Sequence, residues 1–322
     1  MIEATVKPDR APLPAATPIL SFSPVTLNMP GRTDPNLQIR VVAPASGTNL
    51  PIILLSHGHG SSNFIASMRG YGPLADFYAA HGFVVILPTH QNSRTLGLDP
   101  NGPEGALHWR SRPLDMRFIL DHLDEIEKAV PGLEGRIDRN RVGFVGHSLG
   151  GHTGAILAGA RVTDPVKGDV VDLKESRIKA FVLFSPTGDG KDAAEFAKIN
   201  YPALTNTDFS TLTAPSLVLT GDQDFNERFS DRKTWRGDAF RLSPNDNGAL
   251  LVTFNNCAHI FGGISGYDAK EANDENPQLV ADAQWVTWSY LMSQLYPENG
   301  AWSMVATELK RPDNAIGTLE TK

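Results

Sequence analysis

Short, wholly apolar runs recur along the chain, separated by stretches of mixed polarity. Pro51–Ser56 (PIILLS), Phe83–Leu87 (FVVIL), Val142–Val145, Ala180–Phe184 (AFVLF), Ser216–Thr220 (SLVLT) and Ala249–Phe254 (ALLVTF) are continuous and not alternating, the pattern of strands buried on both faces of a parallel sheet. Leu37–Val42 reads as a further strand between turn signals. Met116, Ile119, Leu120, Leu123, Ile126 and Val130 recur at helical spacing, with Asp124, Glu125, Glu127 and Lys128 opposite. Pro113 stands near that helix's start, where a missing N–H costs nothing. Leu279, Val280, Ala283, Val286, Tyr290, Leu291 and Leu295 predict a second amphipathic helix. Strand–helix alternation of this kind predicts an α/β fold, a mostly parallel, doubly wound sheet flanked by helices. The sequence shows no internal repeat and no low-complexity segment.

Three stretches break the alternation. Residues 1–18 hold Pro8, Pro12, Pro14 and Pro18 and lack an apolar core, so they are expected to form an exposed leader and not a signal peptide; residues 19–322 are expected to form one catalytic domain. Asn92–Arg112 is rich in Gly and Pro around His108 and Trp109, and Asp189–Thr213 carries a short possible helix followed by Tyr201 and Pro202. Both follow the C-terminal ends of strands, where open α/β sheets bind ligands. They read either as a small partial cap or as ordinary surface loops, and the expected fold includes the cap.

Composition narrows the class. Apolar residues make up 41% and charged residues 20% of 322, ordinary for a globular enzyme. The net charge of −7 comes from well-mixed acids and bases without a basic stripe, which argues against nucleic acid as a partner. A lone Cys257 excludes an intramolecular disulfide. No apolar stretch is long enough to span a bilayer. A cytoplasmic location is the expectation, and the oligomeric state is left open. There is no H-E-x-x-H and no C-x-x-C spacing, so no metal or cofactor is expected.

Gly146-His147-Ser148-Leu149-Gly150 follows the Val142–Val145 strand and precedes the helix-forming run Thr153–Ala160. Strand, sharp turn and helix are the context in which G-x-S-x-G presents a nucleophilic serine; the bland alternative is a Gly-rich turn with an N-cap serine. A serine hydroxyl needs a base, and in this arrangement the partners follow in the order acid, then histidine. Past the strand Ser216–Thr220 stand Asp222 and Asp224. Asp224 is preferred because its spacing leaves room for a turn, which Asp222 would stabilise. His259 follows the strand Ala249–Phe254 and takes the base's place; His81, His122, His147 and His152 are read as structural. Backbone amides must hold the oxyanion: Leu149, after the nucleophile, and His59 in the loop His57-Gly58-His59-Gly60, with Gly60 second.

Taken together, SHGHGSS at 56–62, GHSLGGHTGAILAGA at 146–160, LVLTGDQD at 217–224 and AHIFGGISGYD at 258–268 resemble the α/β-hydrolase superfamily over residues 37–296. The branch resembled is that of the platelet-activating-factor acetylhydrolase and dienelactone-hydrolase-like, or chlorophyllase-like, bacterial esterases. The resemblance implies the triad Ser148, Asp224 and His259 with an oxyanion hole at His59 and Leu149. His152 stands where such relatives often have Tyr, and Phe261–Asp268 is richer in glycine. Dienelactone hydrolases proper use a cysteine nucleophile, so Ser148 argues against their reaction.

The expected activity is hydrolysis of carboxylic esters through an acyl-enzyme. Peptidase or amidase action on the same triad, and a non-catalytic ligand-binding protein of this fold, are the alternatives. Trp109, Phe261 and Tyr267 are the expected walls of a pocket between Asn92–Arg112, Asp189–Thr213 and Phe261–Tyr267, and a neutral small-molecule ester is the expected substrate, since these segments hold no cationic cluster except Arg110 and Arg112.

Overall fold

The computed structural model describes residues 13–32, 36–60, 62–266 and 275–322. Strands β1 (Ile19–Leu27), β2 (Leu37–Pro44) and β3 (Leu50–Ser56) come first, then helix α1 (Gly72–Ala80) and β4 (Val84–Pro88). Helices α2 (Ser111–Asp121) and α3 (Leu123–Ala129) lead to β5 (Ile137–His147) and α4 (Leu149–Leu157). Short strands β6 (Arg161–Thr163) and β7 (Val170–Val171) precede β8 (Ile178–Phe184), and helices α5 (Glu195–Asn200) and α6 (Pro202–Thr205) with strand β9 (Thr207–Asp208) precede β10 (Ser216–Gly221). Helix α7 (Asp238–Arg241), β11 (Leu250–Phe254), α8 (Pro277–Leu295), α9 (Ala301–Leu309) and β12 (Gly317–Thr321) complete the order.

Among the described residues nine strands form one sheet, in the order β1-β2-β4-β3-β5-β8-β10-β11-β12, and β7-β6-β9 form a small second sheet. From β4 to β11 every neighbouring pair is parallel; β2 runs antiparallel to β1 and β4, and β12 antiparallel to β11. The continuous apolar runs are the central strands, because side chains on both faces are buried: all seven residues of β3 are. Leu55, Val182, Leu219 and Phe254 enter the layer covered by α1, α8 and α9. Leu54, Phe144, Phe181 and Val218 enter the layer covered by α2, α3, α4 and α7. The doubly wound, mostly parallel sheet expected from the pattern is therefore present, and the seven expected strands are all in it. Among the described residues no helix is long and apolar enough to cross a membrane.

The differences lie at edges and breaks. Pro24 hides β1 in the sequence; among the described residues it is an edge strand paired with β2 alone, with a register shift between Phe22 and Val25, where a proline is tolerated. The expected single helix through Val130 is two. The His122 Nδ1–H donates to the Phe118 carbonyl at 2.8 Å, while the His122 backbone N–H bonds to Ile119 O, three residues back. The side chain thus takes the carbonyl that the next helical turn would use, and the chain turns there. Of the expected leader, only residues 13–18 are described; there Leu13 packs against the core and the Thr17 N–H donates to Ala80 O at 2.9 Å.

Candidate active site

From β3 the chain crosses to one side of the sheet, toward β4; from β5 it crosses to the other, toward β8. β3 and β5 are neighbours with Ser56 level with Gly146, so the loops leaving them diverge and open a crevice at their C-terminal ends, the place where such sheets bind ligands.

Ser148 sits at the tip of the turn after β5 with φ 55° and ψ −115°, a conformation that non-glycine residues seldom adopt and that costs on the order of 1–3 kcal/mol. The Ser148 N–H donates to Phe184 O at 2.8 Å and ties the turn to β8. The flanking glycines are a packing requirement: a Cβ at Gly146 would lie 2.2 Å from the Gly150 carbonyl oxygen, and one at Gly150 would lie 2.0 Å from that of Ser56. Leu149 opens α4, and the N–H at that position has no intrahelical acceptor.

His259 and Asp224 meet across the ends of β10 and β11. His259 Nδ1 is 3.0 Å from each oxygen of the Asp224 carboxylate. Burial alone would raise the pKa of Asp224, but the neighbouring His259 and Arg236 outweigh it and hold the carboxyl well below the usual range. Asp222 does something else: it is exposed, and its Oδ1 accepts the Cys257 N–H at 3.0 Å, bracing the turn that carries the histidine. His147 links the two sides of the crevice. Its Nδ1 lies 2.8 Å from the Tyr71 hydroxyl and its Nε2 2.8 Å from His259 O, while Tyr71 accepts the Gly58 N–H at 3.0 Å. With a carbonyl as one partner, Nε2 carries the proton and Nδ1 accepts. Burial pulls His147 down to about 3, so the bridge is neutral.

Ser148, His259, Asp224, His59 and Leu149 all line one cavity of about 360 Å³. Among the described residues neither Ser148 Oγ nor His259 Nε2 has a hydrogen-bond partner, and the backbone N–H of His59 is likewise without an acceptor. Gly60, the second candidate for that amide, does not line the cavity.

The walls differ from those expected. Trp109 is 3% exposed and packs with Ile156, Val162, Val171 and Ala203; Leu107 reaches the cavity from the same segment. Phe261 is fully buried, because the backbone reverses there (φ 51°) and drops the ring under the turn, against Phe184 and Phe254. Its nearness to His259 in sequence does not carry it to the cavity. Tyr267 lies outside the described residues. The Asp189–Thr213 segment contributes Tyr201 and Leu204. A further wall, Phe225, Asn226, Phe229 and Arg236, comes from the segment after Asp224, which the pattern of strands and helices left unread. Its signal in the sequence is the pair Phe225 and Phe229, one and five residues past the acid. Tyr201 and Phe229 stack, with ring centroids 5.9 Å apart, and so join the two segments over the crevice.

A second Asp–His–Ser chain lies behind the crevice. Asp115 Oδ2 is 2.7 Å from His90 Nδ1, and His90 Nε2 is 3.0 Å from Ser56 Oγ. Arg112, 0% exposed, donates to Ser56 Oγ, Thr153 Oγ1, Asn92 Oδ1 and His57 O, and Arg32 pairs with Asp115 at 2.5 Å. Ser56, His90 and Asp115 are all 0% exposed and line none of the cavity. Hydrogen-bond geometry alone would choose this set; access to substrate excludes it. It is a buried polar framework under the β3 loop.

The sequence profile of the alpha/beta hydrolase family matches residues 52–311. No curated protein matches the chain.

Proposed function

The chain belongs to the alpha/beta hydrolase family, and from that premise we propose that it is a serine hydrolase cleaving carboxylic esters through an acyl-enzyme, with residues 19–322 acting as one catalytic domain. The observation that carries the reading is the His259–Asp224 pair, 3.0 Å to each oxygen, facing the same cavity as a serine in a strained turn. With Nδ1–H given to Asp224, His259 Nε2 is the free base. It takes the Ser148 proton as Oγ attacks the ester carbonyl. The amides of His59 and Leu149 receive the negative oxygen of the tetrahedral intermediate. The proton then passes from His259 to the leaving alkoxide, and water, activated in the same way, releases the acid.

The charged groups of the cavity, Asp224 and Arg236, face each other, and the remaining wall mixes apolar side chains such as Leu107, Leu204, Phe225 and Ile260 with uncharged polar ones, which favours a neutral small-molecule ester. The motif likeness to platelet-activating-factor acetylhydrolase and dienelactone-hydrolase-like esterases supports ester over amide substrates. The test is a fluorophosphonate probe followed by peptide mapping, with p-nitrophenyl esters and anilides of graded chain length. Labelling at Ser148 with ester turnover is expected. No label and no turnover would overturn the reading, and preferred turnover of anilides would move it to an amidase.

A further inference from the structure

We propose that Arg236 is a positioning residue for the Asp224–His259 pair, fixing the carboxylate toward the imidazole and favouring the neutral, basic form of His259. The inference rests on the esterase reading above.

Its ground is geometric. The Arg236 side chain is 8% exposed, with Nε 3.6 Å from Asp224 Oδ1, an oxygen that also meets His259 Nδ1. Nη1 is held by Ser185 O at 3.3 Å and Pro186 O at 3.4 Å, past the end of β8. The guanidinium lies 5.1 Å from the Trp235 ring and 5.8 Å from the Phe229 ring. Carbonyls on one edge and rings beside it leave the Nε edge for Asp224. A guanidinium keeps its charge across the working pH range, so it acts here as a fixed cation.

The consequence follows from charge counting. Without Arg236, the one cation available to the buried carboxylate would be protonated His259, and the carboxylate would favour the imidazolium. A protonated His259 cannot accept the Ser148 proton. Arg236 satisfies part of the carboxylate's field and repels the imidazolium, so the histidine stays neutral to lower pH. Among the described residues, the titratable groups that share the site with His259 are Asp224, Arg236, His147, whose ring centroid is 4.8 Å away, and His59 and Tyr201 on the cavity wall. Burial pulls His147 down to about 3 and His59 down to about 4. Both are neutral in the working range, which among the described residues leaves Asp224 and Arg236 as the charges that set the balance.

The experiment is the pH profile of kcat/KM on a neutral p-nitrophenyl ester for wild type, Arg236→Lys, Arg236→Gln and Arg236→Met. The acid limb should move to higher pH by roughly half a unit or more in the Gln and Met variants and stay near wild type in the Lys variant. Gln can keep a bond to the Ser185 and Pro186 carbonyls without the charge, so it carries the comparison if Met does not fold. Titration of the His259 ring protons by NMR in a Ser148→Ala background reads the same midpoint without turnover. A plateau that falls while limb and midpoint stay in place overturns the proposal, since that is what a packing role alone would give. A wild type inert to both ester and fluorophosphonate overturns the esterase reading and removes this proposal with its premise.

Discussion

His259 Nδ1 stands 3.0 Å from both carboxylate oxygens of Asp224, whereas Asp222, two residues away, accepts a backbone N–H from Cys257. The two acids therefore have separable roles. Asp224→Asn should lower ester turnover by about four orders of magnitude, the loss seen when a triad acid no longer fixes the tautomer. Asp222→Ala should leave turnover within a few-fold and cost about 1 kcal/mol of stability. Rates and urea unfolding of the two variants measure this, and the opposite ranking would reassign the acid.

The backbone of Ser148 predicts a stability difference between two inactive variants. Ser148→Ala and Ser148→Gly should both abolish esterase activity. At φ 55° and ψ −115° the glycine variant relieves the strain that alanine retains, so it should be the more stable by about 1 kcal/mol. Equal denaturation midpoints would mean that the turn is not strained in solution.

The buried Ser56–His90–Asp115 chain should matter to folding and not to chemistry. Ser56→Ala leaves His90 Nε2 and Arg112 Nη2 each without one partner, costing roughly 1–3 kcal/mol. Fluorophosphonate labelling of Ser148 should persist in the folded variant. Labelling that disappears from a folded Ser56→Ala protein would show that this framework takes part in the reaction.

Stability should fall steeply in acid. Burial lowers His57, His90, His147 and His152, the last two to about 3. Below about pH 6.5 the unfolded chain binds protons that these groups refuse in the fold, so their contribution is complete above that pH and is lost as pH falls toward 3. A histidine that stays neutral in the fold contributes at most about 1.4 kcal/mol per pH unit, the limit reached well below about pH 6.5. Asp115, raised to about 6 by burial against the pull of Arg32, works in the opposite sense but is one group against four. Urea unfolding from pH 7 to 4.5 gives the slope, and His152→Gln should reduce it by about one histidine's share. A slope unchanged by that substitution would contradict a neutral buried His152.

Tyr201 closes the cavity from the α5–α6 side, stacked on Phe229. Tyr201→Ala should raise the ratio of kcat/KM for long-chain over acetyl p-nitrophenyl esters by roughly tenfold. An unchanged ratio would place the acyl group elsewhere in the cavity.

The central sheet was legible because its strands are buried on both faces and must be apolar throughout. The glycines around Ser148 were legible because the tight turn admits no side chain at Gly146 or Gly150. The order of Ser148, Asp224 and His259 along strand ends followed from the same parallel architecture. β1 and β12 were not legible, since an edge strand has one partner and needs no continuous apolar run. The pocket was legible by segment, since Asn92–Arg112 and Asp189–Thr213 both reach the cavity, but not by side chain. Whether an apolar side chain faces a cavity or the core depends on which way the backbone turns at a single residue: Phe261 turns inward, while Leu107 and Phe229 reach the crevice. Arg236 and Arg112 look alike in sequence, yet one lies beside the carboxylate of Asp224 and the other under the β3 loop, because the packing of distant segments decides what a buried charge meets. Sequence determined which residue types stand at the strand ends; the tertiary structure decided which of them share the cavity, since that depends on how segments far apart in the chain cross.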